Sequence, residues 1–207
     1  MNRKIVTVTG YKGGVAKSTT AIHLADFLSD FGSSLLIDSD LNRTALSRFN
    51  KNLQHNNHKF PFKVVSQLEA IKYVADFDFI IFDTPARPNT DDLSELSKGC
   101  DLLILPTQPN VDSFEPMMQT ALDLGSCPFK FLLTIVPPHP NKDGKKAKQD
   151  LLDAGLPVFE QMIRRSTGFQ KAAEAHTTVR YLSGMGSLWH DYRTVGHEIL
   201  SELNISK

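Results

Sequence analysis

Short apolar, β-branched runs alternate along this chain with stretches whose apolar residues fall three and four positions apart. The runs at residues 5–9, 35–38, 62–65, 79–82, 102–105, 129–136 and 157–162 read as strands. The stretches at 18–31, 67–75, 91–98, 113–124, 145–154 and 187–203 read as helices. Residues 79–82 and 102–105 are wholly apolar, as strands buried on both faces should be. In the last helix Leu188, Tyr192, Val195, Ile199 and Leu203 share one face. The polar stretch 44–61 reads as helix plus loop. Strands separated by helix-length segments pair in parallel through crossover helices. The pattern therefore predicts an α/β fold with a doubly wound, mostly parallel sheet. No internal repeat and no long linker divides it, so 1–207 is expected to be a single domain.

The chemistry is concentrated after the first strand. Gly10-Tyr11-Lys12-Gly13-Gly14-Val15-Ala16-Lys17-Ser18-Thr19-Thr20 opens directly into a helix, the setting of a phosphate-binding loop. In such a loop backbone N–H groups and the helix N-terminus face the phosphates. Lys17 would meet the β- and γ-phosphates, and Ser18 would place its hydroxyl on Mg²⁺. Gly13 and Gly14 would let the backbone approach without a Cβ in the way. The strict pattern G-x-x-x-x-G-K-[ST] fails, because its glycine positions hold Tyr11 and Ala16. Lys-Gly-Gly-x-x-Lys-Ser fits instead, with a second lysine five residues ahead of the first.

This loop resembles the deviant Walker A box of the ParA/MinD family, whose fold is a P-loop NTPase. The resemblance implies that Lys12 is the signature lysine, reaching a partner's nucleotide in an ATP-sandwich homodimer. It implies nucleotide contacts from Lys12, Gly13, Gly14, Val15, Ala16, Lys17, Ser18 and Thr19. Ala16 departs from the family's glycine; if the position needs φ > 0, alanine is strained by about 1 kcal/mol. Leu35-Leu36-Ile37-Asp38-Ser39-Asp40 matches the strand ending in an acidic pair. Asp38 and Asp40 are then the catalytic candidates beside Lys12, able to orient a water. Phe79-Ile80-Ile81-Phe82-Asp83-Thr84-Pro85 matches the Walker B strand, where Asp83 holds Mg²⁺ through water or Ser18. Residues 85–89 would sense the γ-phosphate. Leu103–Pro109 and Leu132–Pro137 resemble the next two strands and their exit loops.

Charge decides less than its total suggests. Lys plus Arg and Asp plus Glu each number 23, which argues against a uniformly basic nucleic-acid binder. Yet residues 76–101 carry 2 basic and 7 acidic groups, while 139–180 carry 8 and 5. A chain neutral overall and locally basic suits DNA binding that is weak in the monomer and salt-sensitive. Arg164 and Arg165, with Lys171 and Arg180, fall where family members contact DNA, and Lys142, Lys145, Lys146 and Lys148 form the densest cluster. The resemblance thus implies an ATPase with slow basal turnover and ATP and Mg²⁺ as cofactors. It would bind DNA non-specifically and position a cargo, with hydrolysis stimulated by a cargo-linked activator protein.

The loop also looks somewhat like that of members that distribute carboxysomes. Rival readings are a small-molecule ATP-dependent synthetase of the same superfold and a MinD-like membrane-cycling ATPase. The synthetases generally lack the lysine at Lys12. The last helix, its apolar face directed to the core, disfavours a membrane. Only three residues precede Lys4, so operator recognition by an N-terminal domain is not expected. No signal-peptide core or membrane span is visible, so the expected location is cytoplasmic and nucleoid-associated. Cys100 and Cys127 are too few for a disulfide scaffold and read as buried thiols. The seven histidines read as structural or exposed.

Overall fold

Six parallel strands form one sheet: β1 (Lys4–Val8), β2 (Ser34–Asp38), β3 (Lys63–Ser66), β4 (Phe79–Asp83), β5 (Leu102–Thr107) and β6 (Phe129–Leu133), in the order β3-β2-β4-β1-β5-β6. The structure is a computed structural model and describes residues 2–10, 12–40, 44–55, 59–85, 95, 98–109 and 127–205. Five α-helices are defined among them: α1 (Lys17–Leu28), α2 (Thr44–His55), α3 (Lys142–Asp153), α4 (Gly168–Glu174) and α5 (Gly186–Glu202). The helices expected at 91–98 and 113–124 lie outside the described residues, apart from Glu95 and Lys98.

Successive residues along each strand point to opposite faces, and both faces are covered. Val6, Val8, Leu36, Phe79, Ile81 and Ile104 pack with α1 and α5. Leu35, Ile37, Ile80 and Val65 cluster on the other face, as do Leu103, Leu105 and Phe131 with Ala147 and Leu151 of α3. This two-sided burial is why the central strands read as continuous apolar runs. The expected face of α5 is buried throughout: Leu188, Tyr192, Val195, Ile199 and Leu203 are at most 4% exposed. Gly196 lets α5 lie against α1, since any Cβ there would run into the Phe27 ring.

Two expected elements take a different form, and α4 falls where the pattern predicts no helix. Residues 67–75 form 3-10 turns, Ala70–Lys72 and Val74–Asp76, rather than a helix. Ala70 is buried and Tyr73 and Val74 pack partly against the β2–β4 face, but Leu68 and Ile71 face solvent, so the packed stretch is too short to stabilise a longer helix. Residues 157–165 run beside β6 with bridges only at Val158 and Arg164. The strand is interrupted where Glu198 of α5 accepts the N–H groups of Glu160 (2.8 Å) and Gln161 (2.9 Å).

Candidate functional site

Strand register brings the flagged acids together. Asp38 at the end of β2 pairs with Asp83 at the end of β4, and Asp83 pairs with Val8 at the end of β1. The loop after Val8 therefore opens onto two carboxylates at the carboxyl rim of a parallel sheet, where ligands of this architecture bind.

The loop is shaped from outside. Thr134 donates its hydroxyl to the Val15 carbonyl (3.0 Å), and Gln108 donates its amide to the Gly14 carbonyl (3.0 Å). Lys17 Nζ approaches the Lys12 carbonyl at 3.4 Å. Three loop carbonyls are thus held by side chains. The helix start is uncapped: Ala16 precedes α1 with no side-chain hydrogen bond, and no acid stands in the first turn. First-turn N–H groups of a helix have no partner within it, so this end is suited to phosphate oxygens.

Gly14 (φ 76°) and Ala16 (φ 65°) both take left-handed backbone. The conditional strain at Ala16 is therefore present. Replacing Ala16 with Gly is expected to relieve ~1–2 kcal/mol of strain against ~0.4–1 kcal/mol of extra freedom in the unfolded chain. Urea unfolding of Ala16→Gly should show a modest net gain, and a loss of stability would contradict this account.

Lys17 is buried, and burial lowers its pKa, while Asp83 and Asp40 favour its charged form. Asp38 is buried and fixed at both oxygens, by the N–H groups of Asp40 (3.1 Å) and Leu46 (2.9 Å). It thereby anchors the start of α2. Burial raises its pKa, and those two hydrogen bonds oppose the rise. Asp83 is fully buried, and neither of its oxygens completes a regular hydrogen bond among the described residues. Burial pushes it up to about 7, the Asp38 and Asp40 charges add to the rise, and the Ser18 hydroxyl and Lys17 ammonium oppose it. A buried carboxylate with unfilled acceptor sites facing a lysine fits a cation–phosphate complex. Among the described residues no cluster of three or more His, Cys, Asp or Glu could hold a metal by itself. A cation here would rest on Ser18, Asp83 and the ligand's own phosphate oxygens, the usual manner of Mg²⁺.

Residues 6–179 match the family CobQ/CobB/MinD/ParA nucleotide binding domain. The chain belongs to this family. A curated relative, maintenance of carboxysome distribution protein A of Gloeobacter kilaueensis, is 27% identical over 206 residues, covering 95% of this chain and 94% of the relative. An ATP complex of a McdA variant from Cyanothece superposes with a TM-score of 0.72 at 16% identity, covering 100% of this chain and 98% of that one. A plasmid partition protein from Borrelia burgdorferi gives 0.69 at 17% identity, covering 98% and 100%. At these identities the two structures speak for the fold.

For this family member the structure also places the remaining flagged residues. Lys12 is exposed on the same loop whose Lys17 is buried. Gly13 and Gly14 are exposed, Val15 buried, and Ser18 and Thr19 partly buried. Asp40 is partly exposed beside Asp38. The segment expected to sense the γ-phosphate is described only at Pro85; beyond it the prediction falls outside the described residues. Arg165 and Lys171 are exposed. Arg164 is not free: Nε and Nη2 grip the buried Asp191 at 2.7 and 2.6 Å. Arg180 is likewise held, by Asp26 (3.1 Å) and Asp30 (3.0 Å). In the lysine cluster Lys146 and Lys148 pair with Asp150 and Glu160.

Sequence reasoning missed Thr134 and Gln108 as loop anchors. It also missed the polar seam behind α1. His23 is buried and held neutral, its pKa lowered to about 3 by burial and the nearby Arg48 charge. It fits the tautomer whose Nδ1–H donates to the Thr19 carbonyl (2.7 Å) while Nε2 accepts from the Val179 N–H (3.2 Å). This is the structural role expected of it. The polar residues His23 and Asp26 inside an apolar helix were the available signal.

Proposed function

We propose that this chain is an ATP-dependent positioning ATPase of the ParA type. In this reading two copies sandwich ATP, the dimer holds DNA non-specifically, and a cargo-linked activator protein stimulates hydrolysis. The observation that carries it is the division of labour within one loop. Lys17 is buried beside Asp83 and Asp40, whereas Lys12, five residues earlier, is exposed. An exposed lysine on this loop can serve a second copy's nucleotide, as an arginine finger does in trans. The similarity to a carboxysome distribution protein makes a protein organelle the favoured cargo.

The residues divide as follows. Lys17 and the uncapped first turn of α1 bind the β- and γ-phosphates. Ser18 and Asp83 hold Mg²⁺, which neutralises phosphate charge when bound. Asp38, oriented by two backbone N–H groups, and Asp40 beside it position the attacking water. Lys12 adds positive charge across the interface, coupling dimerisation to the triphosphate. Arg165 and Lys171, with Arg164, supply DNA phosphate contacts.

Lys12→Ala should retain ATP binding and lose ATP-dependent dimerisation, read by size-exclusion chromatography with light scattering. The unmodified protein should shift plain duplex DNA with ATP and not with ADP, and the shift should weaken steeply with salt. DNA binding indifferent to nucleotide would overturn the proposal. So would turnover that is monomeric, requires a carboxylate metabolite and ignores DNA, which is the synthetase outcome. Among the described residues no helix is long and apolar enough to cross a membrane.

A further inference from the structure

The two cysteines lie 27 residues apart in sequence and meet in space, with Sγ···Sγ 3.5 Å. Neither is deeply buried. Both stand at the amino rim of the sheet, just ahead of the neighbouring parallel strands β5 and β6, whose register pairs Leu103 with Phe129. The backbone on both sides is fixed. Asp101 donates its N–H to the Ile5 carbonyl (2.8 Å), and its carboxylate accepts the Ile5 N–H (2.7 Å). Leu103 donates to the Pro128 carbonyl (2.9 Å). By the β5–β6 register Cys127 stands one residue out of line with Cys100, so the pair spans a diagonal of roughly 6 Å between strands about 4.8 Å apart, within the Cα range a disulfide bridges. Closing the remaining ~1.5 Å between the sulfurs needs side-chain rotation and leaves the sheet in place.

We infer that Cys100 and Cys127 are a modification site, forming a reversible intramolecular disulfide by exchange with a low-molecular-weight disulfide such as oxidised glutathione. The Cys127 thiolate attacks one sulfur of that disulfide and releases one small thiol. The Cys100 thiolate then attacks Cys127 Sγ and releases the second. Two protein thiols become one disulfide, and one small disulfide becomes two thiols, so protons and electrons balance. Cys127 is the entry point because its sulfur reaches the surface beside the Pro128 carbonyl (3.6 Å). Burial pushes the Cys100 thiol up to about 12 and also raises Cys127. The exchange is accordingly slow and faster at higher pH, because the thiolate is the nucleophile. The pair lies at the sheet end opposite the phosphate loop, so its chemistry does not depend on nucleotide binding.

The test uses the full chain incubated with oxidised glutathione at mildly alkaline pH, quenched with iodoacetamide and weighed intact. The expected product has lost both alkylatable thiols together and is ~2 Da lighter than the reduced chain, reversibly with dithiothreitol. Cys100→Ser should stop at a stable glutathione adduct on Cys127. Two persisting free thiols, a lasting adduct on the unmodified sequence, or a disulfide-linked dimer would each overturn the inference. The mass of the unmodified sequence decides alone should the variant fail to fold.

Discussion

Asp83→Asn is expected to make the nucleotide-free protein more stable at pH 8 while weakening its response to Mg²⁺ with ATP about tenfold or more, as an order of magnitude. The unfolded carboxyl titrates near 3.8 and the folded one near 7. Below pH 4 both states hold the proton and Asp83 contributes no penalty. As pH rises from about 4 to 7 the unfolded chain releases it while the folded chain retains it, so stability falls across that window. Above 7 the buried charge is fully developed, and the rise from 3.8 to about 7 corresponds to about 4 kcal/mol at most. Asparagine abolishes this dependence but leaves an amide needing partners, which costs ~1–3 kcal/mol. The difference between the two proteins in urea midpoint should therefore grow with pH from 4 to 8 and favour Asn at the top. Asp26 is also raised by burial, and comparing the two proteins cancels its contribution; Asp38, coupled to Asp83 by charge, titrates with it, so the difference reports on the pair. Adding Mg²⁺ with ATP should restore the Asp83 protein and have an effect smaller by tenfold or more in affinity on the variant, as an order of magnitude. A pH-independent difference would show that Asp83 is not the strained carboxylate of the apo site.

Much of this site is legible in sequence because its chemistry is local. A phosphate loop needs consecutive backbone N–H groups between a strand and a helix, so Gly10 through Thr19 announce it without any tertiary information. Asp38 and Asp83 are legible because each ends an apolar run, and parallel register does the rest. What is hidden depends on distant partners. Arg180 belongs to Asp26 across 154 residues, and Thr134 reaches Val15 across 119. No local pattern encodes either. The 67–75 stretch misled for a related reason. Its apolar residues satisfy helical spacing, yet Leu68 and Ile71 meet water, and the short face of Ala70, Tyr73 and Val74 that does pack is not enough to hold a nine-residue helix.

The same distance effect governs how the basic rim must be probed. Arg164→Ala is expected to destabilise the fold strongly, whereas Arg165→Ala and Lys171→Ala are not. Asp191 is fully buried on α5 and takes Nε and Nη2 of Arg164, the Arg164 N–H at 3.3 Å and the Gln161 amide at 3.2 Å. Removing the guanidinium leaves a buried carboxylate with its charge uncompensated, a change that typically costs ~3–5 kcal/mol. The Arg164 end of the pair is half exposed, so water can enter and about 2–3 kcal/mol is the better expectation. Asp191→Asn, which removes the charge and keeps an acceptor, should cost less than Arg164→Ala. Arg165 and Lys171 have exposed side chains, and their alanine variants should unfold within about 0.5 kcal/mol of the parent. If the rim holds DNA as proposed, those two variants should weaken binding and flatten its salt dependence by about one counterion each. Loss of DNA binding in Arg164→Ala would then report on α5 packing as much as on phosphate contact. Arg164→Lys separates the two. It keeps the positive charge for DNA but cannot reproduce the two-nitrogen grip on Asp191. DNA affinity near the parent's in a less stable protein would show that the grip on Asp191 serves α5 packing and is not itself needed for DNA. Affinity lost at unchanged stability would instead make it a contact.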